Sequence, residues 1–172
     1  TAIVILRFVQ RVDPQLVVEC GSGMSSFVIG RALQLKGSGK CIAFEDDRAY
    51  AERHREELRE AGLSEYVEVY HTPIREHEIS GKRWLWYDID GVTIERNIDL
   101  LFVDGPKGKL QPMSRYPAVP VLKDRLTSGA VVLLDDAQRG DERKIAARWQ
   151  EEFAPTHSEF IDGAKATHYL RF

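Results

Sequence analysis

Short apolar runs, each closing on a glycine or an acidic residue, alternate with longer amphipathic stretches, and this alternation is the main constraint on the fold. Leu16-Val17-Val18 runs into Glu19-Cys20-Gly21-Ser22-Gly23, and Cys41-Ile42-Ala43-Phe44 runs into Glu45. Tyr66 to Tyr70 alternates in the manner of a third strand, Ile98 to Val103 ends at Asp104, and Ala130 to Leu134 ends at Asp135-Asp136. Ser25 to Leu35, Asp47 to Ala61, Ala118 to Leu126 and Glu142 to Phe153 have helical character, and Gly37 and Gly62 are C-terminal stops. Short strands alternating with helices predict an α/β, doubly wound, mostly parallel sheet. Ser158 to Ile161 and Thr167 to Phe172, around Asp162-Gly163, add an antiparallel C-terminal hairpin at one edge. Trp84 to Val92 combines aromatic alternation with Asp90-Gly91 and suggests a hairpin or lid-like insertion.

The 172 residues suffice for one domain with a real core, and residues 1–172 are read as one. With 43% hydrophobic and 30% charged residues, the balance is that of an ordinary globular protein. Net charge is −3 with both signs interleaved, so the basic face needed by nucleic acid is missing and no such partner is expected. Cys20 and Cys41 fall in apolar runs, where two buried thiols are expected rather than a disulfide framework. The run Ala2-Ile3-Val4-Ile5-Leu6 is too short to span a membrane and lacks a small-residue cleavage site, so it reads as the start of a packing element. A cytoplasmic location without membrane association is the expectation.

In a doubly wound sheet, ligands bind beyond the carboxyl ends of the strands. Gly21 and Gly23 allow a tight turn and close approach of a ligand to bare backbone, while Ser25 or Ser26 can cap the helix that follows. A dinucleotide fingerprint requires glycine where this chain has Ser26, which argues against a nicotinamide or flavin. Glu45 ends the next strand, 22 residues beyond Gly23, where an acid can accept both hydroxyls of a ribose. Together these features predict a nucleoside site. A glycine pair in a loop with a surface glutamate is the plainer alternative.

Val17-Val18-Glu19-Cys20-Gly21-Ser22-Gly23 resembles the first motif of class I S-adenosylmethionine-dependent methyltransferases. Phe44-Glu45-Asp46-Asp47 resembles the second. The resemblance implies S-adenosylmethionine as cofactor, with Glu19 near its amino group, Gly21, Ser22, Gly23 and Ser25 packed around it, and Glu45 with Asp46 at its ribose. It places His71-Thr72-Pro73-Ile74 near the adenine. It also implies a seven-stranded Rossmann-like sheet of order 3-2-1-4-5-7-6.

Asp104, Asp135 and Asp136 end neighbouring strands, which lie about 4.8 Å apart in a sheet, so their carboxylates should converge. Uncompensated, they would raise one another's pKa values. An oxygen-only set suits Mg²⁺ or Ca²⁺. Lys107 offers a base or a compensating charge. The order is similar to the catechol O-methyltransferase branch, which implies Asp104, Asp135 and Asp136 as metal ligands and Lys107 as general base; Asp136 stands where that branch has asparagine. The plainer alternative has Asp135 capping the next helix, Asp136 paired with Arg139, and Lys107 as a loop lysine.

Ser114-Arg115-Tyr116-Pro117-Ala118 also resembles methyltransferase-like proteins, with Arg115 and Tyr116 either lining a substrate pocket or simply starting a helix. Trp84, Trp86 and Tyr87 read as packing, and the histidines lack ligand spacing. The expected activity is methyl transfer to an oxygen of a small-molecule acceptor, with Asp104 and Lys107 as catalytic residues. A non-catalytic binding module, or an enzyme using another nucleoside on the same fold, are the alternatives. So short a chain has little sequence for a substrate cap, which a partner subunit, as in a homodimer, or an N-terminal segment absent from this sequence could supply.

Overall fold

The computed structural model describes residues 1–163 and 165–172. The apolar start becomes α1 (Ala2–Val12), whose Ile5, Phe8 and Val9 are buried at helical spacing; Asp13, with φ 53°, ends it. β1 (Leu16–Cys20), α2 (Met24–Lys36), β2 (Lys40–Glu45), α3 (Arg48–Glu60) and β3 (Val67–His71) follow as the alternation predicts. Gly37 closes α2 at φ 80°, and Asp47 caps α3 by accepting from the Tyr50 N–H at 2.9 Å.

The insertion differs from its sequence reading. The hairpin is β4 (Ile74–Ile79) against β5 (Lys82–Tyr87), and Asp90-Gly91 lies beyond it. Ser80 (φ 51°) and Gly81 (φ 72°) make the turn, both left-handed as a tight two-residue hairpin turn requires. Trp84, Trp86 and Tyr87 are buried as packing residues.

β6 (Ile98–Val103), α4 (Ala118–Leu122), β7 (Leu126–Leu134), α5 (Gly140–Phe153), β8 (His157–Ile161) and β9 (Thr167–Arg171) complete the chain. The helix expected to reach Leu126 stops at Leu122 in a 3₁₀ turn, because Leu126 already pairs with Ile98. β7 is correspondingly longer than expected, with Gly129 at φ 83° where the register with β6 shifts.

The seven-stranded sheet has order β3-β2-β1-β6-β7-β9-β8, which is the expected order once its own strands are numbered consecutively. β7–β9 and β9–β8 are antiparallel and the remaining pairs parallel. Alternation divides the core in two. Val17, Leu100 and Leu133 face α1, α2 and α3, whereas Val18, Leu101 and Val132 face the β4–β5 hairpin, α4 and α5. Both thiols are free and buried. No described helix is long and apolar enough to cross a membrane.

Candidate active site

The carboxyl ends of β1, β2, β6 and β7 open on one cavity of about 290 Å³. Its wall includes Gly21, Ser22, Gly23, Ser25, Glu45 and Asp46 from the β1 and β2 ends. Asp104, Lys107 and Asp135 line the neighbouring side, so most of the predicted site residues meet there. Glu19 and Asp136 sit just beneath, both buried. A wider groove of about 790 Å³ opens at the opposite ends of β1, β2 and β3. Parallel sheets bind ligands at their carboxyl ends, which makes the smaller cavity the candidate.

The glycine loop is shaped by what it must approach. Gly21 has φ 90°, and a Cβ there would lie 3.2 Å from the Gly105 nitrogen. A Cβ on Gly105 would collide with the Tyr87 hydroxyl and come within 3.0 Å of Gly21 Cα. The β1 and β6 ends therefore press together as bare backbone under the cavity.

Glu19 is fully buried, and its hydrogen-bond partners are hydroxyls. Ser25 donates to one oxygen and Ser26 Oγ to the other at 2.5 Å, while Ser26 accepts from the Gly23 N–H at 3.1 Å. Burial raises the Glu19 pKa to about 8; the two serine bonds oppose that rise, and nearby Asp104 and Glu45 add to it. Glu45 accepts from Ser22 Oγ at 2.9 Å and from the Asp47 N–H at 3.1 Å. Residues 71–74 do not line the cavity; Thr72 is buried, its N–H bonded to the Glu45 carbonyl at 2.8 Å.

The three aspartates converge as expected, with one oxygen from each lying within 4.8 Å of the others, an oxygen-only set of the kind that holds hard divalent ions. The charge of two of them, Asp104 and Asp136, is however already met from within the protein. Arg115, 4% exposed, donates from Nη2 to Asp104 Oδ1 at 2.7 Å and to Asp136 Oδ2 at 3.2 Å. Its Nη1 donates to the Asp135 carbonyl at 3.0 Å and lies 3.6 Å from Glu142. Arg139 pairs with Asp136 at 2.8 Å, the pairing that sequence suggested. Asp135 caps no helix: it accepts from the Thr1 hydroxyl at 2.8 Å, and α5 begins later without a side-chain cap. Lys107 is exposed on the cavity wall, and no ion pair forms on it among the described residues. The compensating cation is thus Arg115. Neither Arg115 nor Tyr116 lines the cavity; Tyr116 is buried and packs against Trp84 in a tilted arrangement, with ring centroids 4.6 Å apart.

Burial lifts the Asp104 pKa to about 6; Arg115 pulls it down, and Asp135 and Asp136 push it up. Tyr87, Thr1, Ile5 and Lys165 also line the cavity and were not singled out as site residues by sequence. Ile5 carried a signal, since Ile5, Phe8, Val9 and Val12 share one helical face. Arg115 was expected from its motif either to line a substrate pocket or to start a helix, not to serve as the counter-cation of the aspartates.

A family model of a methyltransferase domain matches residues 18–137. No curated protein matches the chain in sequence. Among solved structures, a methyltransferase from Geobacter sulfurreducens is 19% identical at TM-score 0.70, covering 99% of this chain and 77% of its own. An O-methyltransferase from Bacillus cereus in complex with SAH is 14% identical at TM-score 0.72, with 99% and 80% covered. The O-methyltransferase TomG of Streptomyces achromogenes, involved in tomaymycin synthesis and solved with SAM, is 20% identical at TM-score 0.65, with 99% and 78% covered. At these identities the likeness is one of fold.

Proposed function

Because the chain belongs to the methyltransferase domain family, we propose that it moves the methyl group of S-adenosylmethionine onto an oxygen of a small hydroxylated molecule. The observation that carries this reading is Glu19, a buried carboxyl group held by two serine hydroxyls, with no cation among its hydrogen-bond partners in the described residues. Such a group is completed by a ligand that brings its own positive charge, as the ammonium of a methionine moiety does. The remaining residues fit the same molecule. Glu45, fixed by Ser22 and the Asp47 N–H, presents acceptors to a ribose, and the bare backbone at Gly21 admits close approach.

When bound, S-adenosylmethionine supplies an electrophilic methyl on a sulfonium. Glu19, Gly21, Ser22, Gly23, Ser25, Glu45 and Asp46 hold and orient it, which accounts for much of the rate advantage in a displacement between aligned reactants. Asp104, with its pKa lifted to about 6, is a stronger base than an ordinary carboxylate and takes the proton of the acceptor hydroxyl. Lys107, exposed on the same wall, offers a positive charge to the oxygen as its negative charge grows. A divalent ion at Asp104, Asp135 and Asp136 fits poorly, since Arg115 already holds two of the three, and no step runs through one. The sequence favours action in the cytoplasm.

Calorimetry with S-adenosylmethionine and S-adenosylhomocysteine tests the pocket. Binding of both is expected, and an intact protein that binds neither would overturn the reading. A turnover screen over hydroxylated acceptors then separates an enzyme from a binding module.

A further inference from the structure

Asp104, Asp135, Asp136 and Glu142 bring four carboxylates to the ends of β6 and β7 and the first turn of α5. Asp135, Asp136 and Glu142 are each at most 4% exposed. Carboxylates so placed must take up protons, bind an ion, or find a cation in the chain. Arg115 reaches three of the carboxylates, Asp104 at 2.7 Å, Asp136 at 3.2 Å and Glu142 at 3.6 Å, and touches Asp135 through its backbone carbonyl at 3.0 Å. A guanidinium is charged at every accessible pH and forks in a plane, so one group bridges acceptors from separate elements.

The segment that carries Arg115 is anchored on both sides. Met113 adopts φ 53° and donates its N–H to Asp141 at 3.0 Å, and Ser114 Oγ donates to the Pro106 carbonyl at 3.2 Å. The Tyr116 hydroxyl donates to Glu152 at 2.6 Å. Asp136 receives Arg139 at 2.8 Å as well, with Lys165 at 3.8 Å from its other oxygen. Counted together, Asp104, Asp136 and Glu142 are met by the three cations Arg115, Arg139 and Lys165, while the Asp135 carboxylate accepts from the Thr1 hydroxyl, which leaves one negative charge rather than the surplus that recruits a divalent ion.

We infer that Arg115 is a built-in cation in the place a divalent ion would take: it positions Asp104 and Asp136, and it makes the site independent of added metal. Arg115 does not line the cavity and acts through Asp104, which does, so it is a positioning residue. The activity consequence rests on reading the cavity as a methyl-transfer site. The consequence for ion binding does not, and the two are measured separately.

The test adds Mg²⁺ or Ca²⁺, each against EDTA, to the wild-type protein and to Arg115→Met, and follows the melting temperature. Wild type should not shift with either ion. Arg115→Met, left with uncompensated carboxylates, should gain several degrees with at least one of them, a rescue that loss of packing alone would not produce. A saturable rise in the wild type, or a folded Arg115→Met indifferent to both ions, would overturn the inference. If Arg115→Met does not fold, Arg115→Lys takes its place. An ammonium has no planar fork to bridge these carboxylates, so a smaller gain is expected, and none would count against the inference. S-adenosylhomocysteine calorimetry in EDTA supplies the second arm: affinity equal to that in Mg²⁺ supports independence from metal, and affinity that requires the ion overturns it. Absence of S-adenosylhomocysteine binding in both buffers overturns the proposed function, while the ion result still decides the role of Arg115.

Discussion

At the ends of β1 and β2, Glu19 and Glu45 are held by serine hydroxyls and a backbone N–H. Further along the same sheet edge, Asp104 and Asp136 are held by guanidinium groups. Hydroxyls orient a carboxylate without neutralising it, so burial prevails and the Glu19 pKa climbs to about 8. Asp104 is less deeply buried, with its side chain 33% exposed, and the Arg115 charge opposes what burial remains, so the rise ends near 6. One acid is left for a ligand to complete, and the other is completed by the fold.

The sharpest way to break this contrast is to remove the internal cation. Arg115→Met should lower the unfolding free energy by about 3–5 kcal/mol in urea denaturation, the usual cost of orphaning buried charge. A loss below about 1 kcal/mol would mean that the aspartates do not depend on it. Glu19→Gln should behave in the opposite way, weakening S-adenosylhomocysteine binding by about 1.5–3 kcal/mol, roughly ten- to a hundredfold, without lowering stability at neutral pH. Calorimetry paired with melting curves reads both; unchanged affinity would remove Glu19 from the site.

The pH dependence of stability follows from the same residue. Native Glu19 keeps its proton up to about pH 8, whereas the unfolded chain releases it near the ordinary value of 4.5. The native state therefore binds more protons between those values, and the contribution of Glu19 to stability, full below 4.5, declines as pH rises toward 8. Glu19→Gln should remove that decline, and an unaltered slope in pH-dependent melting would contradict the assignment. Ligand binding should run the other way. A cationic ammonium favours ionised Glu19, so affinity should rise between about pH 6 and pH 8 with release of a proton, which calorimetry in buffers of different ionisation enthalpy detects.

Gly105 marks the junction between the two regions. Gly105→Ala should cost about 1–3 kcal/mol through overpacking, and Tyr87→Phe in that background should recover part of it by clearing the colliding hydroxyl. The smallest expected effect is at Ser22→Ala, about 0.5–1.5 kcal/mol in cofactor affinity, because Glu45 keeps its bond from the Asp47 N–H.

These regions were not equally legible in the sequence. Glu19, Gly21, Gly23 and Glu45 are set by local pattern: each stands at the end of an apolar run, and strand ends in a parallel sheet fall on one edge. The meeting of Asp104 with Asp135 and Asp136 follows from the same rule. Arg115 does not, because nothing local distinguishes a buried arginine from an exposed one, and Lys107 was nearer along the chain. Its burial depends on the loop that carries it being anchored to Pro106 and Asp141. β4 was missed because its interior, Arg75-Glu76-His77-Glu78, is polar, and it forms by pairing with β5 rather than by burying a face of its own. α1 was legible in part, its apolar start being clear before its helical period was.

The division of the core also places the chromophores. Trp84, Trp86 and Trp149, all the tryptophans of the chain, lie on the face covered by the hairpin, α4 and α5. Their emission therefore reports on that half of the molecule, and loosening of α1 or α2 on the other face would go largely unseen. The same placement is useful at the cavity. Tyr87 forms part of its wall, with its ring centroid 5.3 Å from that of Trp86, so the arrival of a ligand there should be recorded in the protein's own fluorescence.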